Sequence, residues 1–349
     1  MRHLLFAALL AVFALVTVAP AKADAVEGSG STFVFPLLKA ASKAYREHLA
    51  DGTDYAPGEN EIDYEPVGSL GGILRLQQID IDFAAIDFPL PQTELAKFGY
   101  VQFPIVIGAI APVVNVAALK DKRLNLPGEV LAEIYLGKIQ NWNDPAIAAA
   151  NPDIALPDLR IAVVHRSDGS GTTYNWTRYL SGVSPEWKEK YGADTLINWP
   201  LGSSAEGGGK LAEKVKGTDG AIGYLEFGQA SRAGLSLARV GIAAEAFAAP
   251  DAASIAAAAK GAQWSSANDF NVSLIDNAAP GGYPIAAAVY VIMRADDGFG
   301  NDNTRTLRFF QFLLERGPAI ASELGYVPLP ESTVTEVKKH WASKFDYGS

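Results

Sequence analysis

Short apolar blocks separated by polar turns predict a repeated order of strand, turn and helix along this chain. Ile62–Val67 alternates apolar and polar residues like a half-buried strand, and Asp82–Ile86 predicts a buried strand that ends at Asp87. Arg160–His165 predicts another strand, and Gly171–Leu180 follows it with helical spacing. Strands that alternate with helices indicate an α/β fold with largely parallel sheets.

Three longer runs depart from this alternation. Phe103–Asn115 is rich in Val and Ile and is interrupted by Gly108 and Pro112, and Tyr283–Met293 is a second apolar run of the same kind. Val and Ile favour extended backbone, and Pro disrupts the interior of a helix. We therefore predict two extended segments that pass between domains. The Ala-rich run Ala243–Ala259 instead predicts a helix.

The first 23 residues predict a secretory signal peptide. Arg2 and His3 precede an apolar run, Leu4–Ala19, and the small-x-small tripeptide Ala21–Ala23 follows it. We expect cleavage after Ala23 and export to the periplasm, which leaves about 326 residues, enough for two domains. The apolar run is slightly short for a membrane span, which needs about 18 to 20 residues. A retained membrane anchor is the alternative.

Composition narrows the classes of function. The chain contains no cysteine, so neither a disulfide framework nor a lipid-anchored N-terminal cysteine can form. It carries 39 acidic and 29 basic residues, and two of the basic ones belong to the predicted signal peptide. An acidic surface argues against nucleic-acid binding, which requires a basic face. Such a surface also repels anions at long range, so an anionic ligand would have to be held by local dipoles and hydrogen bonds.

Three Gly- and Ser-rich turns, each between a predicted strand and a predicted helix, are candidates for such local binding. They are Gly28–Thr32, Gly68–Gly72 and Asp168–Thr172. The first N–H groups of a helix lack internal partners and lie at the positive end of its dipole, and glycine lets the backbone approach a ligand closely. The best-placed additional donors are the hydroxyl groups of Thr32, Ser69, Ser170 and Thr172. Ordinary helix capping explains each turn alone, but three in one chain favour a shared oxyanion site.

Two charged residues belong to the third of these turns. The planar guanidinium of Arg166 can donate to two oxygens of one anion. Asp168 is close enough in sequence to pair with Arg166, which would make the arginine structural. Both interpretations hold if Asp168 orients the guanidinium while the guanidinium binds the ligand.

Asp87 is the residue that a simple anion site would not contain. A carboxylate among donors repels an anion unless the ligand brings its own proton. Hydrogen phosphate can donate to Asp87, whereas sulfate, which is fully ionised at neutral pH, cannot. Sites built around a ligand O–H reject analogues that lack it by roughly 10⁴–10⁵-fold. The alternative is that Asp87 caps the turn before Pro89.

Several segments resemble the periplasmic phosphate-binding proteins of ABC phosphate importers, in the same order over essentially the whole mature chain: Gly28–Phe33, Gly68–Gly72, Asp82–Leu90, Tyr135–Trp142, Ala162–Thr172, Ala221–Phe227 and Tyr283–Ile285. The most specific run is Ile161–Thr172. The resemblance implies a type II periplasmic-binding-protein fold, in which two α/β lobes joined by two extended hinge crossovers close over the ligand. It implies one lobe from residues 24–105 with 283–349 and a second from residues 106–282.

The resemblance also implies a phosphate-binding set: Thr32, Phe33, Ser69, Asp87, Arg166, Asp168, Ser170, Gly171 and Thr172. In it, Asp87 accepts the ligand proton, and Thr32 and Phe33 supply a hydroxyl and backbone N–H groups. The implied partners are inorganic phosphate and an inner-membrane ABC permease complex, and we expect a monomer without enzymatic activity. The chain departs from the common pattern at four positions, where relatives often carry Ala, Pro, Ser and Ser: Ser31, Val34, Leu70 and Ile86. None removes an assigned donor, so these departures bear on affinity and not on the identity of the ligand.

Other motifs are incomplete. Gly207–Lys210 resembles the end of a phosphate-binding P-loop, but Leu211 replaces the required Ser or Thr. The histidines of the mature chain, His48, His165 and His340, lack metal-ligand spacing, so we predict neither a metal nor a cofactor. One alternative is a receptor for another tetrahedral oxyanion, such as sulfate, molybdate or a phosphonate. The second is a secreted phosphoesterase, which would need an activated nucleophile or a metal.

Overall fold

The computed structural model describes residues 25–50, 62–119, 122–243, 246–275, 280–295, 303–345 and 347, so the predicted signal peptide lies outside the described residues. The strands are β1 (Val26–Gly30), β2 (Ile62–Glu65), β3 (Phe83–Ile86), β4 (Tyr100–Asn115), β5 (Asn125–Leu126), β6 (Ala162–Arg166), β7 (Ser203–Ala205), β8 (Ala221–Glu226), β9 (Ser236–Leu237), β10 (Arg239–Ala243), β11 (Ala246–Ala248) and β12 (Ala286–Arg294). The helices are α1 (Phe35–Ala50), α2 (Ser69–Arg75), α3 (Gln92–Phe98), α4 (Gly128–Tyr135), α5 (Pro145–Ala149), α6 (Gly171–Val183), α7 (Pro185–Lys190), α8 (Gly207–Lys216), α9 (Phe227–Arg232), α10 (Ala252–Ala259), α11 (Asn303–Arg316), α12 (Pro318–Glu323) and α13 (Glu331–Phe345).

One large mixed sheet organises these elements. Its strands lie in the order β2-β1-β3-β12-β4-β8-β6-β7, with β9 beside β4, and a smaller sheet has the order β11-β10-β5. The outer pairs are parallel: β1 with β2 and β3, and β6 with β7 and β8. The central pairs are antiparallel: β12 with β3 and β4, and β4 with β8. The predicted α/β class is confirmed, but the prediction of largely parallel sheets was wrong at the centre of the large sheet.

The long strand β4 connects two halves of this sheet. Its first part, Tyr100–Ala109, pairs with β12, and its second part, Ile110–Asn115, pairs with β8. All of its residues except the last are buried, which explains the continuous apolar run in the sequence. The predicted extended segment is therefore confirmed and begins three residues earlier than expected. We call β1, β2, β3 and β12 with their flanking helices the first half, and β6, β7 and β8 with theirs the second half.

The Ala-rich run is only partly helical. β11 occupies Ala246–Ala248, and α10 begins at Ala252, after Pro250. The residue before a proline is biased toward extended backbone. Asp251 then caps the helix by accepting from the Ser254 N–H at 2.8 Å. The predicted helix over Ala243–Ala259 was therefore too long at its N-terminal end.

Buried aromatic side chains support the turns at the centre of the molecule. In the first half, Phe103 and Trp341 meet edge to face with ring centroids 5.0 Å apart. In the second half, Trp176 stacks on Tyr224 with centroids 5.3 Å apart. All four are fully buried, so each pair belongs to a close-packed core. Among the described helices, none is both long enough and apolar enough to span a bilayer.

Candidate anion-binding site

The three predicted anion-binding turns meet at one place. They are the turn after β1, the N-terminus of α2 and the N-terminus of α6. The Gly68 N–H donates to the Gly30 carbonyl at 2.8 Å, which joins the first two turns. The Leu70 N–H donates to the Gly169 carbonyl at 3.0 Å, which joins them to the turn of the second half. Donor-rich turns from both halves of the sheet therefore surround one region.

The glycines of the first turn have a packing role. Gly28 and Gly30 lie inside β1, so the first three residues of the predicted turn Gly28–Thr32 belong to a strand. A Cβ on Gly28 would collide with the ring of Phe83. A Cβ on Gly30, whose φ is +127°, would collide with the Ala85 carbonyl. The prediction of a turn was wrong for these residues. Close packing on β3 requires glycine here, and in sequence such a glycine looks like one that lets a ligand approach the backbone.

Asp87 is fixed by contacts from both halves. It follows β3 and is only 2% exposed. Its N–H donates to Ser69 Oγ at 3.3 Å, and Ser31 Oγ donates to its Oδ1. Its carbonyl accepts from Asn175 Nδ2 on α6 at 2.7 Å. The carboxylate therefore lies between Ser31 and α6, and this arrangement differs from a cap on the turn before Pro89.

The environment of Asp87 raises the pKa of its carboxyl group. Burial raises the pKa of Asp87 from 3.8 to about 6. Hydrogen bonds and one positive charge limit this rise, and they come from Ser31, Arg166, Ser69 and Thr172. Above about pH 6 the carboxylate is ionised and can only accept hydrogen bonds. Asp87 is therefore an obligate acceptor that lies among many donors.

Arg166 and Asp168 form a buried pair. Arg166 Nε donates to Asp168 Oδ1 at 2.6 Å, and Nη2 donates to Oδ2. Burial raises the pKa of Asp168, but the bonds from Arg166 outweigh it, and the pKa lies below its usual value. Asp168 Oδ1 also accepts from the Gly207 N–H at 2.9 Å, at the start of α8. The pair uses two of the five guanidinium N–H groups, so Asp168 orients a side chain that retains donors for an anion.

The N-terminus of α6 faces the Asp87 carboxylate. Ser170 caps this helix by accepting from the Thr173 N–H at 3.2 Å. A Cβ on Gly171 would lie 2.7 Å from Asp87 Oδ2, so only glycine permits this approach. The Thr172 hydroxyl helps to lower the pKa of the Asp87 carboxyl group. The positive end of a 13-residue helix therefore lies beside the acceptor.

Thr32 and Phe33 lie at the edge of this cluster. The Thr32 carbonyl accepts from Gln229 Nε2 at 2.5 Å, and the Phe33 carbonyl accepts from the Tyr326 hydroxyl at 2.6 Å. The Phe33 N–H, which the resemblance assigns to the ligand, donates to Ser31 Oγ at 3.0 Å. The turn after β1 is thus held in place by bonds within the chain. The structure brings the nine predicted residues together in one region.

Two residues next to Asp87 were missed by the sequence interpretation. Ser31 was noted only as a departure from alanine, although it is adjacent to the assigned Thr32. Asn175 lies four residues after Gly171, a spacing that places both on one face of a helix. That spacing was a usable signal, whereas the contact between Asn175 and the Asp87 carbonyl depends on how the two halves meet.

Comparison with known proteins identifies the family. Residues 16–315 match the model of the PBP superfamily domain. The chain is 41% identical over 324 residues to the phosphate-binding protein PstS of Xylella fastidiosa, and the aligned region covers 93% of this chain and 86% of the relative. It is 37% identical over 343 residues to PstS of Pasteurella multocida, covering 98% and 96%. This chain belongs to the PstS family of the PBP superfamily.

Solved structures share the fold of this PstS-family chain. A high affinity periplasmic phosphate-binding protein, PfluDING, solved bound with phosphate, has a TM-score of 0.69 at 21% identity and covers 90% of this chain and 93% of its own. A putative phosphate ABC transporter substrate-binding protein from Clostridium perfringens, with bound phosphate, has a TM-score of 0.62 at 20% identity, covering 88% and 100%. These likenesses confirm the two-lobed periplasmic-binding-protein fold.

Proposed function

We propose that this PstS-family protein is a periplasmic receptor that binds inorganic phosphate between its two lobes and delivers it to an ABC import permease. The observation that supports this most directly is the buried Asp87 carboxylate, which lies beside Arg166 and the N-terminus of α6. A ligand that satisfies many donors and one obligate acceptor carries negative charge and one hydrogen, as hydrogen phosphate does. The relatives described above are phosphate-binding proteins, which agrees with this ligand.

We infer that the ligand contacts side chains and N–H groups of the nine residues of the candidate site: Thr32, Phe33, Ser69, Asp87, Arg166, Asp168, Ser170, Gly171 and Thr172. Arg166 provides the positive charge, and Asp168 keeps its guanidinium oriented. The α6 N–H groups and the hydroxyl groups donate to phosphate oxygens. Asp87 accepts the ligand hydrogen and so distinguishes phosphate from fully ionised anions.

We infer lobe boundaries close to those that the resemblance implies, residues 24–105 with 283–349 and residues 106–282. β4 changes its pairing partner between Ala109 and Ile110, within a few residues of the first boundary. β12 begins at Ala286, next to the second. We propose a monomeric receptor, as the resemblance implies. The leader that ends at Ala23 accounts for export.

We further infer that phosphate is bound without turnover. The Ser170 hydroxyl, the best nucleophile candidate of the α6 turn, serves as the helix cap. His165 stacks on Trp199 with ring centroids 4.9 Å apart, and burial lowers its pKa, so it packs as a neutral aromatic ring. In the part of the chain that the structure describes, no group of three or more His, Cys, Asp or Glu side chains is arranged to hold a metal.

The proposal predicts a sharp preference for phosphate. Isothermal titration of protein stripped of phosphate should show saturable phosphate binding at pH 7.5, with sulfate weaker by roughly 10⁴-fold or more. Asp87→Asn replaces the obligate acceptor by an amide that can also donate, so this variant should gain affinity for sulfate and lose affinity for phosphate. Equal affinities of the wild-type protein for the two anions would overturn the proposal. Continued rejection of sulfate by the variant would show that Asp87 does not distinguish the two anions.

A further inference from the structure

Ser31 stands next to the proposed acceptor and is fully buried. Its hydroxyl accepts from the Phe33 N–H at 3.0 Å and donates to Asp87 Oδ1. A hydroxyl has one proton, and an ionised carboxylate can only accept a hydrogen bond. The Ser31 hydroxyl is therefore the donor and Asp87 is the acceptor. The backbone of Ser31 is held in place, because its N–H donates to the Ala85 carbonyl at 2.8 Å and its carbonyl accepts from the Tyr64 hydroxyl at 3.0 Å.

The two oxygens of the Asp87 carboxylate consequently have different surroundings. Ser31 occupies Oδ1, while Oδ2 faces Gly171 at the N-terminus of α6. The proposed ligand position is beside that helix end, so Oδ2 is the oxygen that meets the ligand hydrogen. Ser31 thereby fixes the rotation of the carboxylate. It occupies Oδ1 and leaves Oδ2 for the ligand.

Ser31, Arg166, Ser69 and Thr172 all favour the ionised form of Asp87, and Ser31 makes the largest of these contributions. The charged and titratable groups that act on it or respond to its charge are Arg166, Glu226, Tyr64 and Tyr326, and Asp168 is paired with Arg166. Of these, only Arg166 attracts the carboxylate, while Glu226 opposes its charge and burial disfavours it most. The hydroxyl bond from Ser31 is therefore a large part of what keeps the acceptor ionised.

We propose that Ser31 is a positioning residue that holds Asp87 as a hydrogen-bond acceptor and so sets the pH range over which phosphate is distinguished from sulfate. This inference rests on the proposed function. When Asp87 binds a proton it becomes a donor, and a donor suits an anion that carries no hydrogen. Discrimination is therefore lost as the pH falls through the point at which Asp87 is protonated. Removal of the Ser31 donor moves that point upward.

The test is the ratio of phosphate to sulfate affinity, measured by isothermal titration from pH 5 to pH 9. In the wild-type protein the ratio should fall as the pH decreases, because a protonated Asp87 accommodates sulfate better than an ionised one. In Ser31→Ala the midpoint of this fall should rise by about one pH unit, because a hydrogen bond to a charged group is lost. Ser31→Cys, whose thiol is a weak donor, should show a smaller rise in the same direction. Protonation of phosphate itself is the same for every variant and cancels in the comparison.

Ser29→Ala is the matched control. Ser29 is also fully buried, on β1, but its hydroxyl has no hydrogen-bond partner among the described residues. This variant should keep the wild-type midpoint. Ser31→Ala with an unshifted midpoint, or Ser29→Ala with an equal shift, would overturn the role of Ser31. A wild-type protein that fails to discriminate at any pH would instead overturn the proposed function, so the two failures are distinguishable.

Discussion

Burial of the Asp87 charge destabilises the folded protein, and the same burial makes the carboxylate a selective acceptor. Its pKa is about 6 in the folded protein against an ordinary value of 3.8, so the folded state binds this proton more tightly than the unfolded chain does. The free energy of unfolding therefore falls as the pH rises from about 4 to about 6, and it stays lower above that range. The difference corresponds to about 3 kcal/mol.

This relation predicts that Asp87→Asn stabilises the protein while it impairs selectivity. Asparagine keeps the size of the side chain and remains neutral. At pH 8 the free energy of unfolding of the phosphate-free variant should exceed that of the wild type by up to about 3 kcal/mol. The gain should shrink as the pH falls toward 3.8 and vanish well below it, where aspartate is protonated in both states. Urea unfolding at several pH values measures it, and a less stable variant at pH 8 would show that the bonds to the carboxylate outweigh its burial.

At the scale of the element, the N-terminus of α6 combines capping, a dipole and a close approach to the first half. Ser170 satisfies one of the free N–H groups of the helix, which leaves others beside Asp87. Gly171 permits this approach, because a Cβ there would collide with Ser69 Oγ and lie 2.7 Å from Asp87 Cβ. The helix itself gains nothing from a glycine at this position. The residue serves the contact between the halves.

We therefore predict that Gly171→Ala lowers phosphate affinity without unfolding α6. The added methyl group prevents the halves from closing fully, and overpacking of this kind costs about 1–3 kcal/mol, or roughly 5- to 150-fold in affinity. Gly182→Ala is the control in the same helix, where a Cβ would meet nothing within 4 Å. The control should bind phosphate like the wild type and melt at the same or a slightly higher temperature. Equal phosphate affinities in the two variants would contradict the requirement for glycine at position 171.

The elements show which parts of this site the sequence predicts. Local patterns predict the Val- and Ile-rich run that forms β4. They also predict the segment Asp168–Thr172 at the start of α6, because periodicity and capping act over a few residues. Gly28 was misinterpreted, because a glycine required by the ring of Phe83 looks in sequence like one required by a ligand. The antiparallel pairing of β12 with β4 joins segments that are far apart in the chain, and no local pattern predicts it. The contact between Ser31 and Asp87 depends on the same long-range arrangement.

At the scale of the whole molecule, contacts at the border of the candidate site hold the two halves together. Phe88, after β3, packs against Tyr174 of α6 with ring centroids 4.5 Å apart. These two rings, together with Asp87, line a cavity of about 360 Å³ between the halves. On the opposite side, Gln229 of the second half donates to the Thr32 carbonyl of the first. Closure therefore depends on side chains that do not contact the ligand, as well as on those that do.

The aromatic contact predicts a kinetic effect that separates closure from ligand recognition. Tyr174→Ala removes a pair that forms only when the halves meet, so phosphate should dissociate about 2- to 10-fold faster while its association rate changes little. Tyr191→Ala is the matched control, because Tyr191 packs on Trp187 at 4.9 Å entirely within the second half. That variant should lose stability and keep the wild-type dissociation rate. Stopped-flow release of phosphate into a trap measures both rates. If Tyr174→Ala slowed association and left dissociation unchanged, the ring pair would belong to the open receptor and not to the closed one.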